Sequence, residues 1–443
     1  MQFNRVSLPE RRRSKLKRMV ARRWDSARLA LAAAMPNWLE RHLVRRSRGA
    51  LRSSGNQTEN ALKRLYVDVS VVSVNDAGTG IQRVVRGVST HLPQLAVGQW
   101  DVAFVAATRR GPFRRIDPAS GRREGESMTA QPGDVFVGLD YALDAIPPNV
   151  DQLSEFRRSG GELWFFVHDL LPLQRPDWFS KQTSRRYVRW LRILASVADG
   201  FFCNSSQTEA ELKQVMESRF GVNGGYRTCV LPMGANLVPA RNGSSAAPRS
   251  GVLPELHGMP FVLMVGTLEP RKGHGEMLSA FEELWEREET ALVIVGRAGW
   301  KVEALQKRIR SHPLFGKRLF WLDNADDAAL ERLYGTCEGV VVAALAEGFG
   351  LPLVEALSYR KPVLARDLPV FRQHHPRGVR YFPANATSIE LAECLATWLR
   401  DLRRGAIQVT PQECSWEQTT QGLLAALGAG DTRASEAYRR YGP

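Results

Sequence analysis

Short apolar runs recur along this chain, and most are unbroken rather than alternating. Leu65–Ser70, Asp134–Gly138, Glu162–Val167 and Gly200–Cys203 form a first set. Phe261–Val265, Ala291–Val295, Leu319–Leu322, Val340–Ala344 and Pro362–Ala365 form a second. Unbroken runs of this length predict strands covered on both faces, as in parallel sheets. Segments with helical spacing lie between them, such as Ile81–Arg86, the series Met277, Leu278, Phe281 and Leu284, and Ala328–Leu333. Strands alternating with helices predict an α/β fold with doubly wound parallel sheets. The stretch Pro239–Gly251, rich in Gly, Ser, Ala and Pro, separates two such units. The expected organisation is an extension over 1–64, a first α/β domain over 65–238, a linker over 239–260, a second α/β domain over 261–412, and a last helix and tail over 413–443.

The extension has a different pattern. Leu16, Val20, Trp24, Ala27 and Leu31 fall at helical spacing among Arg and Lys, Pro36 ends the run, and Asn37 with Glu40 reads as a capping pair for a second helix through Leu43. Residues 1–50 hold 14 Lys and Arg against 3 Asp and Glu, a net +11 of the chain's +15. The basicity therefore belongs to an appendage, and the rest of the chain is nearly balanced. An aromatic and basic amphipathic helix suits an anionic membrane surface, where each Lys or Arg contributes about 1 kcal/mol. The plain alternative is a solvated charged helix or linker.

Composition narrows the class further. A chain of 443 residues with 44% apolar content fits two globular domains plus extras. No run approaches the ~18–20 apolar residues of a spanning helix, and no cleavable export signal is evident. Five scattered cysteines without CxxC spacing and eight histidines without ligand spacing predict neither a disulfide scaffold nor a metal site. The expected place is the cytoplasm, peripheral on the inner face of the plasma membrane. The body lacks interleaved aromatic and basic strands, so no nucleic-acid partner is expected.

Candidate chemistry gathers at strand-to-helix turns. Glu347-Gly-Phe-Gly-Leu-Pro-Leu-Val-Glu355 follows the Val340–Ala344 run and opens a helical series through Leu353, Val354, Ala356 and Leu357. A Gly-rich turn there presents free N–H groups and a positive helix end, which suits a phosphate. Carboxylates repel phosphate, so Glu347 and Glu355, eight positions apart, suit sugar hydroxyls on either side of it. The bland reading is a loop–helix junction with a solvated Glu347 and a core-edge Glu355. Upstream, Gly266-Thr-Leu-Glu-Pro-Arg271-Lys272-Gly273 follows Phe261–Val265 and places a planar fork beside a point charge, fit to neutralise a diphosphate. In the first unit, Asn75–Gly80 is a turn-rich loop before a helix. His168 stands at the carboxyl end of a strand, where ligands gather in open parallel sheets; a core-edge histidine bonded to Asp169 is the plain alternative. Asn204-Ser205-Ser206 reads mostly as a helix N-cap.

On these residues the chain resembles the retaining glycosyltransferases of family 4, which have the GT-B fold. Their E-x7-E element is matched by Glu347 and Glu355, and their G-x-x-x-x-x-K-G phosphate loop by Gly266 through Gly273. The likeness continues at Val370-Phe371-Arg372 and Ser415-Trp416, and spans roughly residues 65–430. It departs at Thr267, where many members carry Arg, and at Gln373, where many carry an acid.

The resemblance implies a nucleotide-sugar donor held by Gly80, Thr267, Arg271, Lys272, Gly348, Phe349, Gly350, Leu351 and Glu355. Glu347 would hold the transferred sugar, Glu355 the ribose, and His168 would lie near the reaction centre. No cofactor and no metal are implied. Thr79-Gly-Ile-Gln-Arg83 and Gly266–Gly273 resemble bacterial mannosyltransferases of surface-polysaccharide and O-antigen assembly, which implies GDP-mannose as donor and a lipid-linked or polysaccharide glycan as acceptor. UDP- and dTDP-hexoses stay open. So do two other readings: a non-catalytic GT-B-like interaction protein with a basic membrane- or nucleic-acid-binding arm, and a GT-B sugar-nucleotide epimerase.

Overall fold

The computed structural model describes residues 37–50, 62–76, 78–117, 122, 125–237, 258–374, 377–411 and 414–428. The first domain is built on strands β1 (Lys63–Asp68), β2 (Trp100–Thr108), β3 (Gly111–Arg115), β4 (Val135–Gly138), β5 (Glu162–Val167), β6 (Gly200–Cys203) and β7 (Arg227–Val230). They lie in the order β3-β2-β1-β4-β5-β6-β7, parallel except for the antiparallel pair β2–β3. The second domain carries β8 (Phe261–Val265), β9 (Ala291–Val295), β10 (Leu319–Leu322), β11 (Gly339–Val342), β12 (Val363–Arg366) and β13 (Val379–Phe382). Their order is β10-β9-β8-β11-β12-β13, all parallel. This is the GT-B arrangement of two doubly wound domains.

The order reverses between β1 and β4 in one sheet and between β8 and β11 in the other. At such switch points successive loops diverge and leave a crevice at the strands' carboxyl ends. The loop Gly266–Gly273 follows β8 and the loop Glu347–Gly350 follows β11, so topology alone brings these two turns together. In the first domain the loops after β1 and β4 are tied by Asp140, whose Oδ2 accepts from the Val71 and Val72 amides at 2.7 and 2.8 Å.

Two helices join the domains to what lies outside them. Trp416–Gly428 crosses back to pack on the first-domain helix Gly80–Leu95. Its Trp416 Nε1 donates to the Asn236 carbonyl at 2.7 Å and its Thr419 hydroxyl to the Pro232 carbonyl at 2.7 Å.

The helix Asn37–Ala50 packs on the helix Lys181–Val197, with Val44 fully buried. Here the structure corrects the expected capping pair. Glu40 is buried, with Arg219 at 3.1 Å and Arg192 at 3.6 Å, rather than turned back on its helix start. Arg41 and Arg45 donate to the carbonyls of Ser218, Arg219 and Gly221, which end the helix Ser206–Ser218. Cations on the carbonyl end of a helix are favourable. This part of the expected extension thus belongs to the first domain; residues 1–36 and 51–61 lie outside the described residues.

Candidate active site

The loop after β8 reaches its helix, His274–Leu284, through Gly273. Gly273 has φ 73° and ψ 16°, and a Cβ there would stand 2.2 Å from the Ala343 carbonyl oxygen, so only glycine fits. That tight approach locks the loop against the end of β11. The Leu345 amide donates to the Arg271 carbonyl at 2.7 Å. Arg271 Nε donates to Glu269 at 2.8 Å and its Nη1 to Glu347 Oε2 at 3.2 Å, while Lys272 Nζ donates to Glu347 Oε1.

The two cations expected to face a diphosphate are therefore held on Glu347 and Glu269. Burial would push the Glu347 carboxyl up, but Lys272 and Arg271 outweigh it and hold its pKa below the ordinary glutamate range. Asp169 faces the same charges from the first domain. Burial raises its pKa, against Arg271, which lowers it. Glu269 is likewise raised by burial and lowered by Arg271.

Gly350 opens the helix Leu351–Ser358 at φ 94° and ψ 55°, and a Cβ would stand 2.4 Å from the Phe371 ring. Phe349 is buried, edge-on to His374 at 6.3 Å. The Gly348 carbonyl accepts from Ser205 Oγ at 2.6 Å and Thr208 Oγ1 at 3.3 Å, both from the first domain. A Cβ on Gly348 would lie 2.0 Å from the His168 carbonyl oxygen. The Gly-rich loop is thus pressed onto the end of β5, and His168, Gly348, Phe349 and Gly350 come together. Gly80 meets Leu351 across the cleft, its Cβ position 3.4 Å from Leu351 Cδ1.

His168 is buried, stacked on Phe166 with centroids 4.5 Å apart, and its Nε2 lies 3.4 Å from the Leu139 carbonyl oxygen. Burial lowers its pKa to about 4, so the ring is neutral near pH 7. The Asp169 carboxylate accepts from the Leu171 amide at 3.1 Å. Ser205 caps the helix Ser206–Ser218, as expected, and also holds the loop Glu347–Gly350.

Glu355 is buried, with both oxygens occupied. Oε2 accepts from the Tyr334 hydroxyl at 2.8 Å, and Oε1 from Arg83 Nη1, across the cleft, at 2.5 Å. Asp327 lies 3.9 Å from Arg83 and 3.6 Å from Arg86, and Arg86 is 3.1 Å from Asp76. Thr267 is part-buried. Sequence reasoning did not single out Arg83, Tyr334 or Asp169 as site residues. Their available signals were an arginine one turn into a helix after a Gly-rich loop, and an acid directly after His168. A further contact closes the cleft's outer side: Trp300 Nε1 donates to the Trp178 carbonyl at 2.7 Å, with the Phe179 and Trp300 rings 5.5 Å apart.

Among the described residues no group of three or more His, Cys, Asp or Glu stands placed to hold a metal ion, and no helix is long and apolar enough to cross a membrane.

Two doubly wound domains meet here over paired Gly-rich loops and acids, which is the GT-B arrangement. Residues 251–406 match the family of glycosyl transferases group 1, and this region is a group 1 glycosyltransferase domain. Over 387 residues the chain is 35% identical to the serotype-specific mannosyltransferase WbdA of Escherichia coli, covering 84% of this chain and 46% of that one. The chain thus spans about half the length of the curated relatives it matches most extensively. Among solved structures, Anabaena Alr3699/HepE in complex with UDP and glucose aligns with a TM-score of 0.56 at 17% identity, over 83% of this chain and 100% of that one. The sucrose-phosphate synthase of Thermosynechococcus elongatus aligns at 0.55 and 19% identity, over 86% and 98%.

Proposed function

We propose that this chain transfers mannose from GDP-mannose to a lipid-linked or polysaccharide glycan, with retention at C1 and without a metal. The observation that carries the reading is Glu347, held by Arg271 and Lys272 at the switch point beside the loop Gly348–Leu351. Hydroxyl-binding carboxylate, phosphate-binding cations and helix N-termini stand within one crevice. In this reading the diphosphate lies against the starts of the helices His274–Leu284 and Leu351–Ser358. Arg271 and Lys272 then stabilise the leaving group as the C1–O bond breaks, which is catalysis by pre-placed charge. Glu347 exchanges those cations for the transferred sugar's hydroxyls, and neutral His168 lies beside that sugar. The acceptor attacks from the face the diphosphate leaves, and a phosphate oxygen receives its proton. The likeness to WbdA supports mannose, and a shorter likeness, 32% over 113 residues, to the O-antigen chain mannosyltransferase B of Escherichia coli supports O-antigen chains, in a cytoplasmic enzyme docked by its basic residues 1–52 on anionic membrane.

The test is a panel of GDP-, UDP- and dTDP-sugars compared by thermal stabilisation, followed by transfer assays with and without EDTA. Binding adds RT ln(1 + [L]/Kd), about 2.7 kcal/mol at 100 times Kd. GDP-mannose is expected to give the largest shift, and transfer to survive EDTA. A larger shift with another nucleotide overturns the donor assignment. Loss of transfer in EDTA that magnesium restores overturns the metal-free mechanism, and donor turnover without acceptor identifies an epimerase.

A further inference from the structure

The resemblance on which the proposed function rests gives the ribose to Glu355, and both oxygens of that carboxylate are already satisfied, one of them from the other domain. Arg83 Nη1 sits 2.5 Å from one oxygen and the Tyr334 hydroxyl 2.8 Å from the other. Ribose hydroxyls can reach Glu355 only if Arg83 gives up its oxygen.

The guanidinium is not fully satisfied where it stands. Arg83 Nε is buried with no hydrogen-bond partner among the described residues. A buried, unmet donor is unfavourable and gains from an acceptor that can reach it. The nearest alternative acid, Asp327, is 3.9 Å away and shared with Arg86.

The other direction leads to the phosphate seat. Gly80, which opens the same helix as Arg83, meets Leu351 at the start of the second-domain helix, and Glu355 lies one turn into that helix. Arg83 therefore stands about one helical turn along from the contact of Gly80 with the start of that helix. The phosphate seat is short of positive charge. Asp169, Glu269 and Glu347 outnumber Arg271 and Lys272 there. Thr267 follows Gly266 and adds no cation.

We infer that Arg83 is a donor-binding residue supplied by the first domain: it pairs with Glu355 as seen here, and when ribose takes Glu355 the guanidinium turns to the diphosphate. The exchange keeps the Arg83 guanidinium paired with an anion throughout, while Glu355 passes to ribose hydroxyls and keeps the Tyr334 hydroxyl.

Calorimetric titration of the full chain with GDP and with guanosine, repeated with UDP and uridine, separates the possibilities. For Arg83→Met, affinity for the nucleoside diphosphate falls about 10- to 100-fold, the range of a lost charge-assisted hydrogen bond. Affinity for the nucleoside is unchanged or tighter, because its competitor for Glu355 is gone. Arg83→Lys retains most of the diphosphate affinity. Arg83→Gln keeps a hydrogen bond to Glu355 without charge and must show the same split, which covers a failure of Arg83→Met to fold. Equal losses for both ligands would make Arg83 a structural bridge and overturn the inference. A gain in diphosphate affinity would make it a competitor only, and overturn it equally. If wild-type protein binds neither GDP nor UDP, the reading of the site itself falls first.

Discussion

Glu347 and Glu355 are the same residue type eight positions apart, and the fold gives them opposite surroundings. Glu347 is paired inside its own domain by Arg271 and Lys272; Glu355 is paired across the cleft by Arg83. Glu355→Gln should weaken nucleoside diphosphate binding by about 10- to 150-fold, the effect of losing a hydrogen bond to a charged group at ~1.5–3 kcal/mol. It should also lower Tm, since Arg83 would be left buried beside a neutral amide. Glu347→Gln should lower kcat and kcat/KM together while nucleoside diphosphate affinity holds, because the interaction strengthens as charge develops at C1. Steady-state kinetics paired with calorimetry checks both, and the reverse pattern would exchange the two roles.

A second residue-scale expectation concerns His274. It is 1% exposed, neither ring nitrogen has a partner among the described residues, and burial, with Lys272, lowers its pKa to about 3. The unfolded chain binds this proton near pH 6.5 and the native fold resists it, so stability is full above about pH 6.5 and is lost as pH falls toward 4. His168 and His374, both lowered to about 4 by burial, add in the same direction. Buried carboxyls with raised pKa, such as Asp140 and Asp169, act oppositely, so the difference between two proteins is the clean measurement. The Tm of His274→Leu minus that of wild type should rise steadily from pH 7 to pH 4. A flat difference would mean that the native ring protonates freely. The acids and His168 were legible because each belongs to a local turn with its own chemistry. Arg83 and Tyr334 were not, since their importance depends on which helix face the other domain meets.

At the scale of elements, legibility follows burial. The central strands β5, β6, β8 and β9 coincide with the apolar runs that predict them, because both faces are covered and the sequence is almost wholly apolar. The edge strands β3, β7 and β13 escaped, as did β2 beside β3, whereas the apolar edge strand β10 did not. β3 reads Gly-Pro-Phe-Arg-Arg, with Phe113 its one buried side chain, and β13 reads Val-Arg-Tyr-Phe, with Arg380 exposed between buried ends. Polar and Pro-bearing edges avoid strand addition, and that same chemistry hides them from a hydrophobicity pattern.

The helix from Asn37 was expected, though only through Leu43, and its place on the first domain escaped for another reason: its arginines look like a solvated face, yet they bind carbonyls of that domain. This gives a sharper truncation experiment. Removing residues 1–36 takes away ten of the fourteen basic side chains of residues 1–50 and should abolish sedimentation with anionic vesicles at low salt without changing Tm. Removing residues 1–50 should lower Tm by several degrees as well, because Val44 leaves the core and Arg219 and Arg192 lose Glu40. Undiminished vesicle binding after the shorter deletion would show that the leader is not the anchor.

For the whole molecule, the domains meet at three depths of the cleft. Arg83 meets Glu355 at the donor helix, Ser205 meets Gly348 at the Gly-rich loop, and Trp300 meets Trp178 and Phe179 at the outer edge. The two inner contacts involve donor-site elements and the outer one does not, so their consequences should differ. A donor must part the domains to enter, and lid or domain opening limits turnover in many enzymes. Trp300→Ala loosens the outer clasp without touching Glu347, Glu355, Arg271 or Lys272. Opening should become easier for the empty and the occupied cleft alike, so association and dissociation rates for GDP should rise together. Kd should then stay within about threefold, because an interaction common to both states cancels from the equilibrium. Stopped-flow binding monitored by tryptophan fluorescence reads both rates directly. If Kd instead rises more than about tenfold at an unchanged association rate, Trp300 contributes to the donor site itself and the clasp is not a gate.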